Sequence, residues 1–164
     1  MRFMVVGGTG HIGIYLVPRL VQAGHHVLVI ARQARPHYGD PRIGWGQVEW
    51  LLADRTDDER TGAWRTRLTS LEVEAVVDLI CYITDQNQQM FDAFRGRIAH
   101  FLHCGTIWAY GPTEHAPYEE HFPRKPIGAY GIDKARIEAQ LMDAWRRSGF
   151  PATVIHPGHI GGRG

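Results

Sequence analysis

Tyr130 and Lys134 lie four residues apart near the C-terminal end of this 164-residue chain. In a helix this spacing places both side chains on one face, one turn apart. A free phenol has a pKa of about 10, too high for a base at neutral pH, but a neighbouring ammonium favours the phenolate. Thr106 could hydrogen-bond the substrate oxygen that Tyr130 protonates or deprotonates. The three residues predict proton transfer, although a tyrosine and a lysine at this spacing also occur on ordinary helix surfaces.

Glycines are concentrated near the N-terminus, in the segment GGTGHIG at residues 7–13. This segment follows a short apolar run that predicts a strand and precedes an apolar periodicity that predicts a helix. Glycine lets a phosphate approach the backbone closely, and the free amides of a helix N-terminus attract the phosphate. We therefore predict that the turn binds a dinucleotide, through Gly7, Thr9, Gly10, His11, Ile12 and Gly13.

The residues after the second predicted strand bear on the choice of dinucleotide. Arg32 and Arg35 follow this strand, and no acidic residue occurs before Asp40. A guanidinium matches a 2′-phosphate, whereas a carboxylate would accept the 2′-hydroxyl of NAD. NADP is therefore the predicted cofactor and NAD the alternative, in which Arg32 covers the adenine or points to solvent. Asp54 is predicted to bind the adenine amino group, or else to be an acidic residue at the start of the next helix.

Six short apolar runs predict strands that alternate with helices, at residues 2–6, 27–31, 48–52, 75–80, 98–104 and 152–156. Such alternation predicts the α/β class, with a doubly wound parallel sheet of the Rossmann type in three α/β/α layers. A capping box at Thr56 and Glu59 predicts a helix that runs to about Leu71. A further helix is predicted over 129–148, and Lys134 and Glu138 are expected to form an i, i+4 ion pair on it.

Composition narrows the class of protein. The net charge is +1 and no long basic block occurs, so nucleic acid is not an expected partner. No apolar run is long enough to cross a membrane, and no signal peptide is evident, so we expect a cytoplasmic protein. The two cysteines, Cys81 and Cys104, are expected to be reduced and buried. The histidines lack metal-ligand spacing, so no metal site is predicted, and His103 and His156 are expected at strand ends near the cleft.

Three stretches of the chain, in order, resemble the extended short-chain dehydrogenase/reductase family: 7–13, 106–111 and 130–134. The NAD-dependent epimerases and dehydratases of nucleotide sugars belong to that family. The segment Pro157-Gly158-His159-Ile160 also matches the family's turn after the sixth strand, which borders nicotinamide and substrate. Cys81 and Tyr82 are a departure, because the family usually has small alanines where the fourth strand meets the cofactor.

The resemblance implies a role for each matching residue. Tyr130 would be the acid/base, Lys134 would lower its pKa and bind the ribose, and Thr106 would anchor the substrate oxygen. Pro157 would border the cofactor. Hydride would pass between the nicotinamide and a hydroxyl or keto carbon of a small-molecule substrate resembling a nucleotide sugar.

Other functions stay open at this point. A carbonyl reductase of the same family is one alternative, and a non-catalytic NAD(P)-binding regulatory or RNA-associated protein is another. A homodimer is also left open. Family members carry a substrate lobe after the sixth strand, so residues 1–164 are expected to be the NAD(P)-binding domain of a longer two-lobed protein, with that lobe absent here.

Overall fold

Six parallel strands form one sheet in the computed structural model, which describes residues 1–35, 44–112 and 117–162. The strands are β1 (Arg2–Val6), β2 (His26–Ala31), β3 (Glu49–Leu52), β4 (Ala75–Asp78), β5 (His100–Cys104) and β6 (Ala152–Ile155). Their order across the sheet is β3-β2-β1-β4-β5-β6. The predicted Rossmann topology is therefore confirmed, and each of the six predicted strands is present.

The helices pack on both faces of the sheet and complete the three predicted layers. They are α1 (Gly13–Gln22), α2 (Arg55–Thr61), α3 (Ala63–Ser70), α4 (Thr84–Phe94) and α5 (Gly128–Ser148), with short 3-10 helices at Trp45–Gln47 and Ile107–Ala109. One face packs on α1 and the Trp45 turn, and the other packs on α3, α4 and α5. Burial on both faces explains why the central strands read as continuous apolar runs.

The single helix predicted from Thr56 to Leu71 is wrong, because the segment forms two helices. Gly62 separates them with a φ of +79°, a left-handed conformation that ends α2 and begins α3. The predicted capping box is also wrong. Asp54 caps α2, because its Oδ1 accepts the amide of Thr56 at 3.0 Å and that of Asp57 at 3.4 Å.

β1 and β4 are neighbours in the sheet. From β1 the chain adds strands β2 and β3 towards one edge, and from β4 it adds β5 and β6 towards the other, so the strand order reverses between β1 and β4. In open parallel sheets, ligands bind at the carboxyl ends of the strands beside such a reversal. The glycine turn after β1 and the segment after β4 both lie at this place. Among the helices of the described residues, none combines the length and apolar character needed to cross a membrane.

Candidate active site

The glycine turn between β1 and α1 leaves no room for side chains at two of its positions. Gly7 has a φ of +80°, and a Cβ there would lie 2.6 Å from Cγ2 of Ile80. A Cβ on Gly13 would lie 2.2 Å from the carbonyl oxygen of Gly8. At Gly10, by contrast, a Cβ would meet only the carbonyl oxygen of Gly7, at 3.4 Å, among the described residues within 4 Å. A ligand can therefore approach the backbone of Gly10 from its open side.

The first turn of α1 is oriented to receive an anion. Ile12 occupies the N-cap position and has no side-chain hydrogen bond to the first amides of the helix. The amides of Ile14 and Tyr15 donate to the carbonyls of Gly10 and Ile12, so phosphate groups would be attracted by the amides that precede Ile14 and by the positive end of the helix dipole. The turn and the helix start therefore fit the pyrophosphate of a dinucleotide.

A cleft of about 400 Å³ opens beside this turn, at the carboxyl ends of β1, β2 and β3. It contains five of the residues that sequence reasoning assigned to cofactor binding, namely Gly7, Thr9, Gly10, Arg32 and Asp54. His11, Ile12, Gly13, Lys134 and Pro157 do not line it. Tyr82, Arg55 and Ile80 line it as well.

Arg32 and Asp54 line the part of the cleft formed by the carboxyl ends of β2 and β3. Arg32 is exposed and directly follows β2. Asp54 caps α2 with one carboxylate oxygen, so the alternative that it is a helix-start acid holds. Its predicted contact with adenine stays a prediction. The Nε of Arg35 donates to Oε1 of Gln33 at 3.0 Å, and Asp40 lies outside the described residues.

A buried ion network that could not be predicted from the sequence reaches the cleft through Arg55. Arg55 is 5% exposed, and its Nη1 lies 3.0 Å from both carboxylate oxygens of Asp78, which is fully buried. The Nε of Arg55 donates to Glu59 at 2.7 Å, and its Nη2 donates to the carbonyl of Gln86 at 3.1 Å. Burial alone would lower the pKa of Arg55, but the charge of Asp78 and the contact with Glu59 raise it. The network therefore joins the end of β4 to α2 and α4.

Thr106, Tyr130 and Lys134 come together where β5 meets α5, as the sequence predicts. Thr106 is buried directly after β5, and its Oγ1 accepts the amide of Trp108 at 3.3 Å. Tyr130 lies in the first turn of α5 and is 44% exposed. The Nζ of Lys134 lies 5.7 Å from the centroid of the Tyr130 ring. The phenol is thus open to a ligand, whereas the lysine lies beneath it.

Gly131 allows α5 to pack tightly against the Thr106 segment. A Cβ on Gly131 would lie 2.7 Å from the carbonyl oxygen of Trp108. The amide of Ile127, just before α5, donates to that same carbonyl at 3.3 Å. The close approach holds Tyr130 beside Thr106, so the glycine between Tyr130 and Lys134 helps to form the site.

The pKa of Tyr130 is raised above its ordinary value. Partial burial is the main cause, and a hydrogen bond with Thr106 acts in the opposite direction. The phenol is therefore protonated at neutral pH. That Lys134 lowers the pKa of Tyr130 stays a prediction. The positive charge of a bound oxidised nicotinamide would act on this pKa in the same direction as Lys134.

Lys134 is a buried lysine, with only 2% of its surface exposed. Its Nζ donates to the carbonyl of Cys81 at 2.7 Å and to that of Cys104 at 2.6 Å. Burial lowers its pKa. These two bonds tie the segments after β4 and β5 to α5. The predicted ion pair between Lys134 and Glu138 is wrong, since Glu138 has other partners.

Glu138 binds Arg124 and His156 instead. Both guanidinium edge nitrogens of Arg124 contact its carboxylate, and Nε2 of His156 lies 3.1 Å from Oε2. Burial alone would raise the pKa of Glu138, but these hydrogen bonds and charges lower it to about 2. Arg124 also stacks over the ring of Tyr110, 4.0 Å from its centroid. The cluster joins the segment before α5 to the end of β6.

Pro157 lies next to the Thr106 segment. Its carbonyl oxygen accepts the amide of Ile107 at 3.2 Å, and the carbonyl of Ile155 accepts the amide of Gly105 at 2.8 Å. The turn after β6 therefore borders the same site as Thr106, although Pro157 does not line the cleft beside the glycine turn. Its contact with a cofactor stays a prediction.

His103 is fully buried at the end of β5, where its register partner on β4 is Asp78. Neither ring nitrogen has a hydrogen-bond partner among the described residues. Burial lowers the pKa of His103 to about 4, and the positive charge of Lys134 adds to this effect. The imidazole is therefore neutral at physiological pH.

We expect His103 to make stability depend on pH. Its pKa is about 4 in the folded chain and 6.5 in the unfolded chain. The unfolded chain therefore binds a proton first as pH falls, and the free energy of unfolding should drop by roughly 3 kcal/mol between pH 6.5 and pH 4 from this group. Urea unfolding of the wild type and of His103→Leu at several pH values measures it. A difference between the two that does not change over this range would contradict the prediction.

Predictions from the sequence also concern the two cysteines and the possible metal ligands. Cys81 and Cys104 are buried and free, and burial raises the pKa of each thiol. Within the described ranges, no group of three or more His, Cys, Asp or Glu side chains could hold a metal ion.

Comparison with known proteins identifies related chains. The sequence model of the NAD dependent epimerase/dehydratase family matches residues 3–164. A 2′-dehydrokanamycin reductase of Streptomyces kanamyceticus is 26% identical over 160 residues, which cover 98% of this chain and 43% of that protein. A UDP-glucose 4-epimerase of Lactobacillus helveticus is 25% identical, over 99% of this chain and 52% of its own length. The chain thus spans about half the length of these relatives.

Solved structures share the fold. A UDP-N-acetylglucosamine 4-epimerase from Methanobrevibacter ruminantium M1, in complex with UDP-N-acetylmuramic acid, superposes with a TM-score of 0.76 at 18% identity, over 94% of this chain and 54% of that one. A UDP-glucose 4-epimerase from Brucella ovis, in complex with NAD, gives 0.74 at 20% identity, over 94% and 51%. The match of the family model to nearly the whole sequence, with the glycine turn and the Tyr130 site in place, shows that the chain belongs to the NAD dependent epimerase/dehydratase family.

Proposed function

We propose that this chain is the cofactor-binding part of an enzyme that transfers hydride between a nicotinamide dinucleotide and a hydroxyl or keto carbon of a sugar-like substrate. One observation carries the proposal. Thr106, Tyr130 and Lys134 meet at the carboxyl end of β5, beside a cleft that the glycine turn keeps open to phosphate. A protein that only binds the cofactor has no need for an exposed phenol above a buried lysine.

The residues of the chain divide the work of such a reaction. A bound nicotinamide ring supplies the hydride acceptor or donor. The glycine turn and the start of α1 hold the pyrophosphate, while Tyr130 moves a proton at the substrate oxygen. Thr106 orients that oxygen, and Lys134 fixes the carbonyl groups around the site and binds the ribose. Positioning and proton transfer are therefore the contributions of this chain.

A nucleotide sugar is the first candidate substrate, because several curated relatives are UDP-glucose 4-epimerases. Reduction of a keto group, as in a carbonyl reductase of the same family, is the second candidate. The relative that reduces 2′-dehydrokanamycin supports it, and so does the raised pKa of Tyr130. A phenol that stays protonated at neutral pH suits the donor of a proton to a forming alkoxide.

Turnover assays test the proposal, with the complete enzyme that contains this chain together with its substrate lobe. Reduced cofactor with keto sugars or aldehydes tests reduction, and UDP-glucose with oxidised cofactor tests epimerisation. Oxidation of the reduced cofactor or interconversion of the sugars would support the enzyme. Cofactor binding without turnover of any of these substrates would instead support a regulatory binding protein.

We further propose NADP as the preferred cofactor, with Arg32 as the partner of the 2′-phosphate. Arg32→Ala should weaken NADP binding about tenfold to a hundredfold and leave NAD binding nearly unchanged, because a charge-assisted hydrogen bond is lost. Calorimetric titration of both cofactors measures the ratio of their Kd values. Arg147→Ala, which removes an exposed arginine at the far end of α5, is the control. An unchanged ratio for Arg32→Ala would contradict the assignment of Arg32 to the 2′-phosphate.

A further inference from the structure

Two hydrogen bonds fix the backbone at Tyr82. It follows β4, at a place where the family that the chain resembles usually has small alanines. Its amide donates to Oε1 of Gln86 at 2.8 Å. The carbonyl of the preceding residue, Cys81, accepts the ammonium of Lys134. The backbone of Tyr82 is therefore fixed relative to both α4 and α5, and its side chain starts from a defined place.

The ring of Tyr82 lies between the dinucleotide cleft and the proposed proton-transfer residue. It lines the cleft together with Gly7 and Gly10. Its centroid is 6.5 Å from that of the Tyr130 ring, with the two planes tilted by 47°. The ammonium of Lys134 lies 5.2 Å from the same centroid. About half of the side chain, 49%, is exposed, so an aromatic surface faces outward between the two parts of the site.

In the proposed reaction, a dinucleotide must extend from the glycine turn to Tyr130, and the ring of Tyr82 lies between these two places. Its pyrophosphate fits the glycine turn beside Gly10, and its reactive ring must come close to Tyr130. We propose that the ring of Tyr82 packs against the nicotinamide-bearing half of the dinucleotide and holds that half in place beside Tyr130. This inference rests on the proposed function, because it requires a dinucleotide in the cleft.

The aromatic ring, and not the hydroxyl, carries this role. Partial burial and the neighbouring Tyr130 raise the pKa of Tyr82, so its phenol stays neutral at physiological pH. A neutral ring contributes apolar area and a polarised face to a planar ligand. Because the contact involves only the half beyond the pyrophosphate, the adenosine half should not depend on Tyr82.

A comparison of two ligands distinguishes the contributions of the two halves of the cofactor to binding. The reduced dinucleotide that the wild type binds more tightly contains both halves, while the corresponding ADP-ribose, or its 2′-phosphate form, lacks the nicotinamide. Calorimetric titration of both ligands is compared for wild type, Tyr82→Ala and Tyr82→Phe. We expect Tyr82→Ala to weaken the dinucleotide about tenfold and to change ADP-ribose less than twofold. Tyr82→Phe should match the wild type with both ligands.

Other outcomes would overturn the inference. An equal loss for both ligands in Tyr82→Ala, no loss for either, or tighter binding of the dinucleotide would each contradict it. Circular dichroism checks that the variant is folded, and Tyr82→Leu replaces it if it is not, with the same expected contrast between ligands. Failure of the wild type to bind either nicotinamide dinucleotide would instead contradict the proposed function, so the two failures are distinguishable.

Discussion

Tyr130→Phe is expected to lower the turnover number by a factor of about 10² to 10⁴, the range lost when a general acid or base is removed. The substitution removes one oxygen atom from a side chain that is 44% exposed. Its ring and its place in the first turn of α5 should be retained, so cofactor affinity and the free energy of unfolding should change little. Steady-state kinetics on a substrate that the wild type turns over, together with cofactor titration, measures both effects.

Tyr118→Phe is the matched control for this prediction. Tyr118 also presents a phenol, and its ring makes edge contacts with Tyr110 and Phe122 that phenylalanine keeps. The control should retain turnover. If Tyr130→Phe turned over substrate as fast as the wild type, Tyr130 would not be the proton-transfer residue, whatever the cofactor affinity.

The pH dependence of turnover distinguishes the direction of proton transfer. The pKa of Tyr130 is raised by burial, so the phenol carries its proton at neutral pH. When Tyr130 donates the proton, as in reduction, the rate should be flat through neutral pH and fall only as pH approaches this raised pKa. When Tyr130 accepts the proton, as in oxidation, the rate should rise with pH over the same range. A Tyr130→Phe variant should lack both dependences.

The local features of the site could be predicted from the sequence. Continuous apolar runs place the strands, because strands of a parallel sheet that are covered on both faces need no polar alternation. The spacing of Gly7, Gly10 and Gly13 predicts the tight turn between β1 and α1, since few other residues fit such a turn. The four-residue spacing of Tyr130 and Lys134 predicts a shared helix face. Each of these inferences depends on contacts within a few residues of the chain.

The polar partners could not be predicted, because they depend on contacts between distant segments. Glu138 was expected to pair with Lys134 on its own helix. The folded chain instead buries Lys134 against backbone carbonyls and brings Arg124 and His156, 14 and 18 residues away, to the carboxylate. The rule that opposite charges at positions i and i+4 of a helix form an ion pair applies only to side chains on the helix surface. Here burial decides the partner, and burial follows from tertiary packing.

The pairing of Arg55 with Asp78 is of the same kind, since 23 residues separate the two. The sequence held one signal, an aspartate that ends an apolar strand. A charge at that position needs a partner, because an isolated carboxylate in a buried site costs far more than it contributes. The partner is an arginine at the start of a helix that follows a different strand. Because β2 and β1 lie between β3 and β4 in the sheet, the contact depends on the tertiary packing of α2 and not on a pairing of neighbouring strands.

Asp78→Asn is expected to destabilise the folded chain by about 3 to 5 kcal/mol, the usual cost of removing one partner from a buried ion pair. The guanidinium of Arg55 would keep Glu59, but it would lose a carboxylate that contacts it through both oxygens at 3.0 Å. Urea unfolding without cofactor measures the change, read from the midpoint at constant slope. Asp143→Asn removes an exposed i, i+4 partner of Arg147 and should cost less than about 1 kcal/mol.

The double variant Arg55→Met, Asp78→Leu separates the cost of an unpaired charge from the worth of the pair. If most of the loss in Asp78→Asn comes from the buried guanidinium left without its carboxylate, replacing both charges with apolar side chains should recover much of it. Recovery would show that the pair contributes little net stability and is retained for another reason. Because Arg55 lines the cleft beside the glycine turn, we would then expect the double variant to bind cofactor more weakly although it is more stable than Asp78→Asn. A double variant as unstable as Asp78→Asn would instead show that the whole Arg55 network, which also holds Glu59 and the carbonyl of Gln86, stabilises the fold directly.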